Sequence, residues 1–531
     1  MTIPDLNFGD LLDKIAVVIP DQPAIIHGER VLSWKEFHER SNRLARMLIA
    51  QGLKPGSKVA FYLRNTPAYL ELFSACVKAR FTHANVNYRY VDHELFHVLD
   101  NSDAEAIVYD AEFQPHIDAL APKLGKVRAY IGVGISDGSM ETRESKTFDF
   151  ETACTEGDAA PLGIKRSGKD LYFMYTGGTT GYPKAVMWQH QDRVAVIGMT
   201  EASNSSEHAQ IVANSSPGPV VLAACPLMHS TGFTTSLSTL VSGGCVVLLP
   251  TPAFDAQTCL QEIQKHKVER MAIVGDAFSV PILEHLREHS ADYDLTSMSI
   301  ISSAGAMWSA DRKLELLKYF TNATLADSLG SSEGSRLGAS TTKVGDTSET
   351  GSFQLGPHAK VFTEEFREVI PGSGEAGMIA TSGAIPLGYY KDEERTAKTF
   401  PTINGIRYSM AGDWCKLETD GSMILLGRGN NCINSGGEKI YPEEVEEALK
   451  TMDEIYDAAV IGIPDERWGQ AVVAVIHLME EDSLDSLTIR DHLSSRLARY
   501  KHPKQLKFVN SSFRHDNGKI NYRAVNALLT N

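Results

Sequence analysis

The chain has 531 residues, 43% hydrophobic and 22% charged, with a formal net charge of −16. That length exceeds one ordinary core, so two or more domains are expected, and the composition excludes collagen-like, disordered and low-complexity classes. The negative balance argues against nucleic acid or anionic lipid as a principal partner, because a polyanion needs a basic footprint. The seven cysteines are scattered and never spaced as CxxC, which supports neither a disulfide framework nor a zinc site. The N-terminus carries no basic-then-apolar leader and no stretch approaches the roughly 20 apolar residues of a membrane helix, so a soluble cytoplasmic protein is expected.

Residues 34–53 place Phe37, Leu44 and Leu48 at helical spacing ahead of the turn signal Lys54-Pro55-Gly56, and residues 59–63 read as a strand. Short apolar runs at 220–225, 245–249, 271–274 and 300–303 alternate with helix-like segments, the pattern of α/β layers. Residues 201–219, rich in Ser, Asn, Pro and Gly, read as a long surface loop. Beyond Gly388 the texture changes to short strands and turns, with Asp420-Gly421 as a hairpin and then Gly427-Arg428-Gly429-Asn430-Asn431. A domain boundary is placed there, giving a large α/β domain over 1–427 and a small α+β domain over 428–531. The small domain is expected to hold an acidic helix from Pro442, strands at 458–463 and 472–478, and a helix near 487–499.

The densest chemical signal is Tyr175-Thr176-Gly177-Gly178-Thr179-Thr180-Gly181-Tyr182-Pro183-Lys184, after the apolar run 171–174 and before a helix-like stretch. Strand, glycine loop, helix is a phosphate-binding layout. Gly177, Gly178 and Gly181 can take positive φ, so backbone N–H groups can converge on an anion, while Thr176, Thr179 and Thr180 add hydroxyl donors and Lys184 adds charge. Pro183 stands where the P-loop pattern demands Gly, so this is not that motif. A structural glycine turn is the plain alternative; three hydroxyl side chains and a lysine beside the glycines favour a triphosphate.

This loop resembles the signature of the adenylate-forming superfamily of acyl-CoA synthetases, luciferases and carrier-loading adenylation domains, and the resemblance runs from about Pro20 to Arg523. It implies a large N-terminal multi-layer α/β adenylation domain and a small mobile C-terminal α+β domain, with the active site between them. Ser303-Ala304-Gly305-Ala306 and Asp327-Ser328-Leu329-Gly330-Ser331-Ser332-Glu333 resemble the family's nucleotide segments. By that resemblance the first lies against adenine, Asp327 accepts from the adenine amino group, Ser332 bonds a phosphate oxygen, and Glu333 with Thr180 holds Mg²⁺. Leu329 replaces the usual stacking Tyr, so weaker adenine binding is expected. Ala411-Gly412-Asp413 resembles the family's Thr-Gly-Asp, implying that Asp413 accepts both ribose hydroxyls with Arg428 as its partner at the nucleotide.

Pro226-Leu227-Met228-His229, continuing to Phe233, resembles the family's Pro-x-x-His segment, with His229 beside the substrate carboxylate and Phe233 as an aromatic gate to the acyl pocket. Gly436 and Gly437 resemble the loop lining a pantetheine tunnel, where glycine gives clearance. Lys519, in Asn517-Gly518-Lys519, resembles the adenylation lysine, and Asn430 stands at the family's hinge position. The implied catalytic set is Lys519, Glu333 and His229, using ATP, Mg²⁺ and coenzyme A to convert an apolar carboxylic acid into its acyl-AMP and then its thioester. Residues 186–190, with His229, Phe233 and 201–219, resemble bacterial synthetases of fatty acids or bulky steroid side-chain acids. Alternatives are a carrier-loading adenylating enzyme, an aryl-acid:CoA ligase, and a nucleotide-binding protein without catalysis. The expected partner is a small carboxylic acid, without nucleic acid or integral membrane association, and with a homodimer as the candidate assembly.

Overall fold

The apolar runs near 220, 245 and 271 become parallel strands buried on both faces, as runs without polar alternation do, while the run at 300 buries alternate residues. In the computed structural model, Pro23–His27, Cys245–Leu248, Val220–Ala223, Arg270–Ile273, Ile300–Ala304 and Thr324–Leu329 lie side by side in that order. The described residues are all but 1–2, 136–145, 179–180, 199–200, 430–432, 436–437, 466–468, 481–483, 495, 498, 516–517 and 531. The sheet continues through antiparallel strands, including Gly338–Thr342, Ser352–Leu355, Ser422–Arg428, Asp413–Leu417 and Ala376–Ser382. The hairpin at Asp420-Gly421 joins two of them, and Gly421 supplies the positive φ of +83° that the turn requires.

A second sheet holds Gly388–Tyr389, Gly181–Gln189, Leu171–Gly178, Thr82–Asn85, Lys58–Tyr62, Ala104–Asp110, Ala129–Val133 and Lys146–Asp149. Between the two sheets lies the main core, where helices Trp34–Ala50, Pro67–Ala79 and Ser230–Val241 meet. Every residue of Pro67–Ala79 is buried, so its two charges need internal partners. Glu71 pairs with Arg40, and Lys78 Nζ donates to Ser41 Oγ (2.8 Å) and Asn42 Oδ1 (3.1 Å).

The small domain has its own antiparallel pair, Ile455–Asp465 with Gly469–Leu478, and Gln505–Val509 runs parallel to the latter. Its core includes Val445, Leu449, Val460, Val472 and Ile489. Helix Pro442–Lys450 is not the solvated acidic surface its composition suggests: Glu446 is 5% exposed and accepts from the Val460 N–H at 2.8 Å.

The surface loop expected at 201–219 is corrected. Ser205–Asn214 is an α-helix capped by Asn204, whose side chain accepts from the Ser206 and Glu207 N–H groups. Glu207 in turn accepts from the Ser203 N–H at 2.8 Å. Local capping and burial of Ala209 and Val212 outweigh the polar composition. Among the described residues no helix is long and apolar enough to cross a membrane.

Candidate active site

The glycine loop joins two strands, not a strand to a helix. Leu171–Gly178 and Gly181–Gln189 pair antiparallel, with Thr176 opposite Lys184 and Gly178 opposite Gly181. The next helix begins only at His190. Residues 185–188 alternate across the pleat, with Ala185, Val186 and Trp188 all enclosed, and tertiary packing holds them as strand. The loop is therefore not followed directly by a helix N-terminus. Thr179 and Thr180 lie outside the described residues. Lys184 is ion-paired with Asp392, the N-cap of helix Glu393–Thr399, and holds that carboxyl below its usual range.

Residues 331–335 lie beside the second hairpin strand. Trp188 Nε1 donates to the Ser332 carbonyl at 2.9 Å, and Ser409 Oγ donates to the Glu333 carbonyl at 2.6 Å. Tyr389 pairs with Val186, and its phenol donates to Glu333 Oε1 at 2.8 Å. Glu333 and Ser332 are thus anchored next to the strand that leaves the glycine loop. Glu333 offers one oriented carboxylate, which fits the way Mg²⁺ is held by one or two carboxylates plus phosphate oxygens. Among the described residues there is no cluster of three or more His, Cys, Asp or Glu that could hold a metal by protein groups alone.

His229 directly precedes helix Ser230–Val241, where Thr231 Oγ1 donates to the Ala304 carbonyl at 3.3 Å. Gly305 is exposed with φ +96°, and Ser303 Oγ accepts from the Gly275 N–H at 2.9 Å. The 303–306 segment is thereby held against the His229 turn. Burial, and then the positive charges of Lys519 and Arg89, push the His229 imidazole down to about 3, so it is neutral at ordinary pH. Lys519 belongs to the small domain; its neighbour Gly518 (φ +77°) packs so closely on the large domain that an added Cβ would stand 3.0 Å from Ala277 Cβ. The fold therefore brings Lys519 and His229 together across the domain junction.

Three of the expected site residues have other partners in the structure. Asp327 is 4% exposed, and its Oδ2 accepts from Lys313 Nζ at 3.2 Å. Burial pushes its carboxyl up to about 6. Strand alternation turns it with Leu325 toward helix Ala310–Tyr319, where Leu316 and Leu317 are buried. Leu329 packs against the cluster of Leu337, Phe353 and Met423. Phe233 is fully buried, its ring stacked on His83 (centroids 5.1 Å apart, interplanar angle 2°) and edge-on to Phe73 at 4.8 Å. It is part of the aromatic core and not the rim of an open pocket.

Asp413 is 7% exposed and pairs in register with Arg428, next to Gly412 at φ +98°. The Arg428 side chain, Asn430, Gly436 and Gly437 lie outside the described residues.

The family model for the AMP-binding enzyme matches residues 12–390, and that for the AMP-binding enzyme C-terminal domain matches residues 444–519, ending on Lys519. The chain belongs to the AMP-binding enzyme family. It is similar to a medium/long-chain-fatty-acid–CoA/3-oxocholest-4-en-26-oate–CoA ligase of Mycobacterium marinum, 38% identical over 98% of this chain and 96% of that protein. A 3-oxocholest-4-en-26-oate–CoA ligase of Rhodococcus rhodochrous is 36% identical over 98% of this chain and 95% of its own length. The fold matches the crystal structure of the anthranilate CoA ligase AuaEII in complex with anthranoyl-AMP, with a TM-score of 0.84, 20% identity, and 99% and 98% of the two chains covered.

Two groups of this AMP-binding enzyme were not legible as site residues: Tyr389, which holds Glu333, and Asp392, which holds Lys184. Both lie in a short strand and helix cap more than a hundred residues from the glycine loop, where nothing in their own neighbourhood marks them.

Proposed function

We propose that this enzyme is an ATP-dependent, AMP-forming carboxylic acid:coenzyme A ligase acting on an apolar acid, either a fatty acid or a bulky polycyclic side-chain acid. The observation that supports this reading is that Tyr389 joins Glu333 to the strand leaving the 176–184 hairpin, Asn85 bridges the Tyr175 carbonyl to the Met228 carbonyl beside His229, and the charge of Lys519 acts on the neutral His229. Full-length similarity to ligases named for fatty acids and a sterol-derived acid supports the substrate class.

In the first half-reaction the substrate carboxylate attacks the α-phosphorus of ATP, the bond to the β-phosphate oxygen breaks, and pyrophosphate leaves. Lys519 and Lys184 stabilise the developing negative charge. His229, neutral, donates one N–H toward the carboxylate, and Asp413 accepts the ribose hydroxyls beside Arg428. Glu333 and Thr180 would be the residues to hold Mg²⁺, which when bound would supply charge neutralisation. In the second half-reaction the thiol of coenzyme A attacks the acyl carbonyl and AMP leaves. The reading puts the boundary between 427 and 428, with Asn430 as pivot and Gly436–Gly437 beside the thiol arm. A cytoplasmic setting agrees with the six cysteines among the described residues, which are free and buried.

The test is pyrophosphate, AMP and thioester formation across fatty, aryl and polycyclic acids, with and without coenzyme A. Thioesters of fatty or polycyclic acids are expected. Turnover of aryl acids alone would move the protein to the aryl branch, and pyrophosphate release without any thioester would favour carrier loading.

A further inference from the structure

Arg514 stands at the base of the loop that carries Lys519. Its Nε donates to Asp457 Oδ2 at 2.6 Å and its Nη2 to Asp457 Oδ1 at 2.8 Å, a bidentate pair. Its Nη1 reaches across the loop to the Gly518 carbonyl at 2.8 Å, one residue before Lys519. Three N–H groups of one planar fork thus hold two acceptors in fixed relation, which an ammonium could not do.

The acceptor side is equally restrained. Asp457 lies on strand Ile455–Asp465, opposite His477, and its Oδ1 also accepts from the Ala458 N–H at 2.9 Å. The loop itself is closed by Gly518 N–H to His515 carbonyl and His515 N–H to Lys519 carbonyl, both 2.8 Å, and by an antiparallel bridge between Arg514 and Ile520. Its far side is Gly518, pressed on Ala277 and on the Val274 carbonyl of the large domain. The side chain of Lys519 has four rotatable bonds, so the place its ammonium can reach is set by where this loop is fastened.

We propose that the Asp457–Arg514 pair is the positioning device for Lys519, acting on the adenylating half-reaction alone by holding the Gly518 carbonyl. The proposal rests on the reading of Lys519 given above. It differs from an ordinary structural ion pair in one respect: its loss is felt only through Lys519.

The experiment uses the full chain with R514Q, R514K, D457N, K519A and the double variant R514Q/K519A, a medium-chain fatty acid, and the matching acyl adenylate supplied separately. R514Q and D457N are expected to lower kcat for pyrophosphate release by about 10- to 100-fold, the range a misplaced group costs. The KM for ATP and the rate of thioester formation from supplied acyl adenylate should stay within about twofold, since uniform binding is untouched. R514K should fall between R514Q and the unaltered enzyme. The double variant should release pyrophosphate no more slowly than K519A, because the arginine acts through the lysine. Equal losses in both half-reactions, an additive double variant, or no loss in R514Q would each overturn the proposal while leaving Lys519 in its role. Undiminished pyrophosphate release by K519A would instead overturn the reading of Lys519 itself, and this inference with it.

Discussion

The Tyr389 phenol donates its hydrogen bond to Glu333 Oε1, so the acid that would meet Mg²⁺ is aimed by a strand it does not belong to. Tyr389→Phe removes one bond to a charged group, about 1.5–3 kcal/mol in general. The expected outcome is slower pyrophosphate release that recovers in part at raised Mg²⁺. Titrating Mg²⁺ in both proteins checks it, and an unchanged Mg²⁺ dependence would separate Tyr389 from the metal role of Glu333.

Asp392 is ion-paired with Lys184 and, under the proposed function, would compete with a triphosphate for it. Asp392→Asn keeps an equally good helix cap while removing the negative charge. The KM for ATP should fall by up to about fivefold, equivalent to the ~1 kcal/mol of a partly exposed ion pair, and most at low salt. Steady-state kinetics at two ionic strengths decides; a rise in KM would make Asp392 a helper of the lysine and not its competitor.

Asp413→Ala should weaken ATP binding by roughly 1.5–3 kcal/mol, because the ribose hydroxyls lose a charged acceptor. GTP should suffer equally. Calorimetric titration measures it, and unchanged affinity would reduce Asp413 to a residue of its strand.

Phe233→Ala empties space in a packed aromatic core and should cost about 3–5 kcal/mol of stability. Thermal and urea unfolding are the measurements. A variant of full stability with an altered chain-length preference would restore Phe233 to the pocket wall.

Burial pushes His83 and His229 down to about 3 and His190 down to about 4. Folded pKa values below the unfolded value of about 6.5 mean that the unfolded chain binds more protons between the two, so stability is lost as pH falls through that window. Each imidazole contributes up to about 1.4 kcal/mol per pH unit. His190, wholly buried and packed between Phe8 and Tyr172, isolates the effect. His190→Leu should lessen the loss of urea stability between pH 6.5 and pH 4.5; an unaltered pH slope would mean that His190 is already protonated in the folded protein.

Much of the architecture was legible in the chain itself. The runs near 220, 245 and 271 become neighbouring parallel strands because a strand covered on both faces has little place for a polar side chain, and the run at 300 joins them with only Ile301 and Ser303 buried. Asp420-Gly421 becomes a hairpin because only its local backbone geometry was at stake. The glycines of the 176–184 segment marked a turn for the same reason, and it joins two paired strands.

Tertiary structure decided which way those groups face. One strand position turns Asp327 toward Lys313, and sheet pairing with Leu171–Gly178 keeps 181–189 extended where the local reading gave a helix. Helix Ser205–Asn214 is secured by its cap and its buried face against a polar composition. Lys519 meets His229, and Tyr389 meets Glu333, only because two sheets and two domains close on one another. Side-chain type is a property of the chain, but the partner of a buried charge is chosen by the packing that removes water around it, and that packing is made by segments remote in sequence.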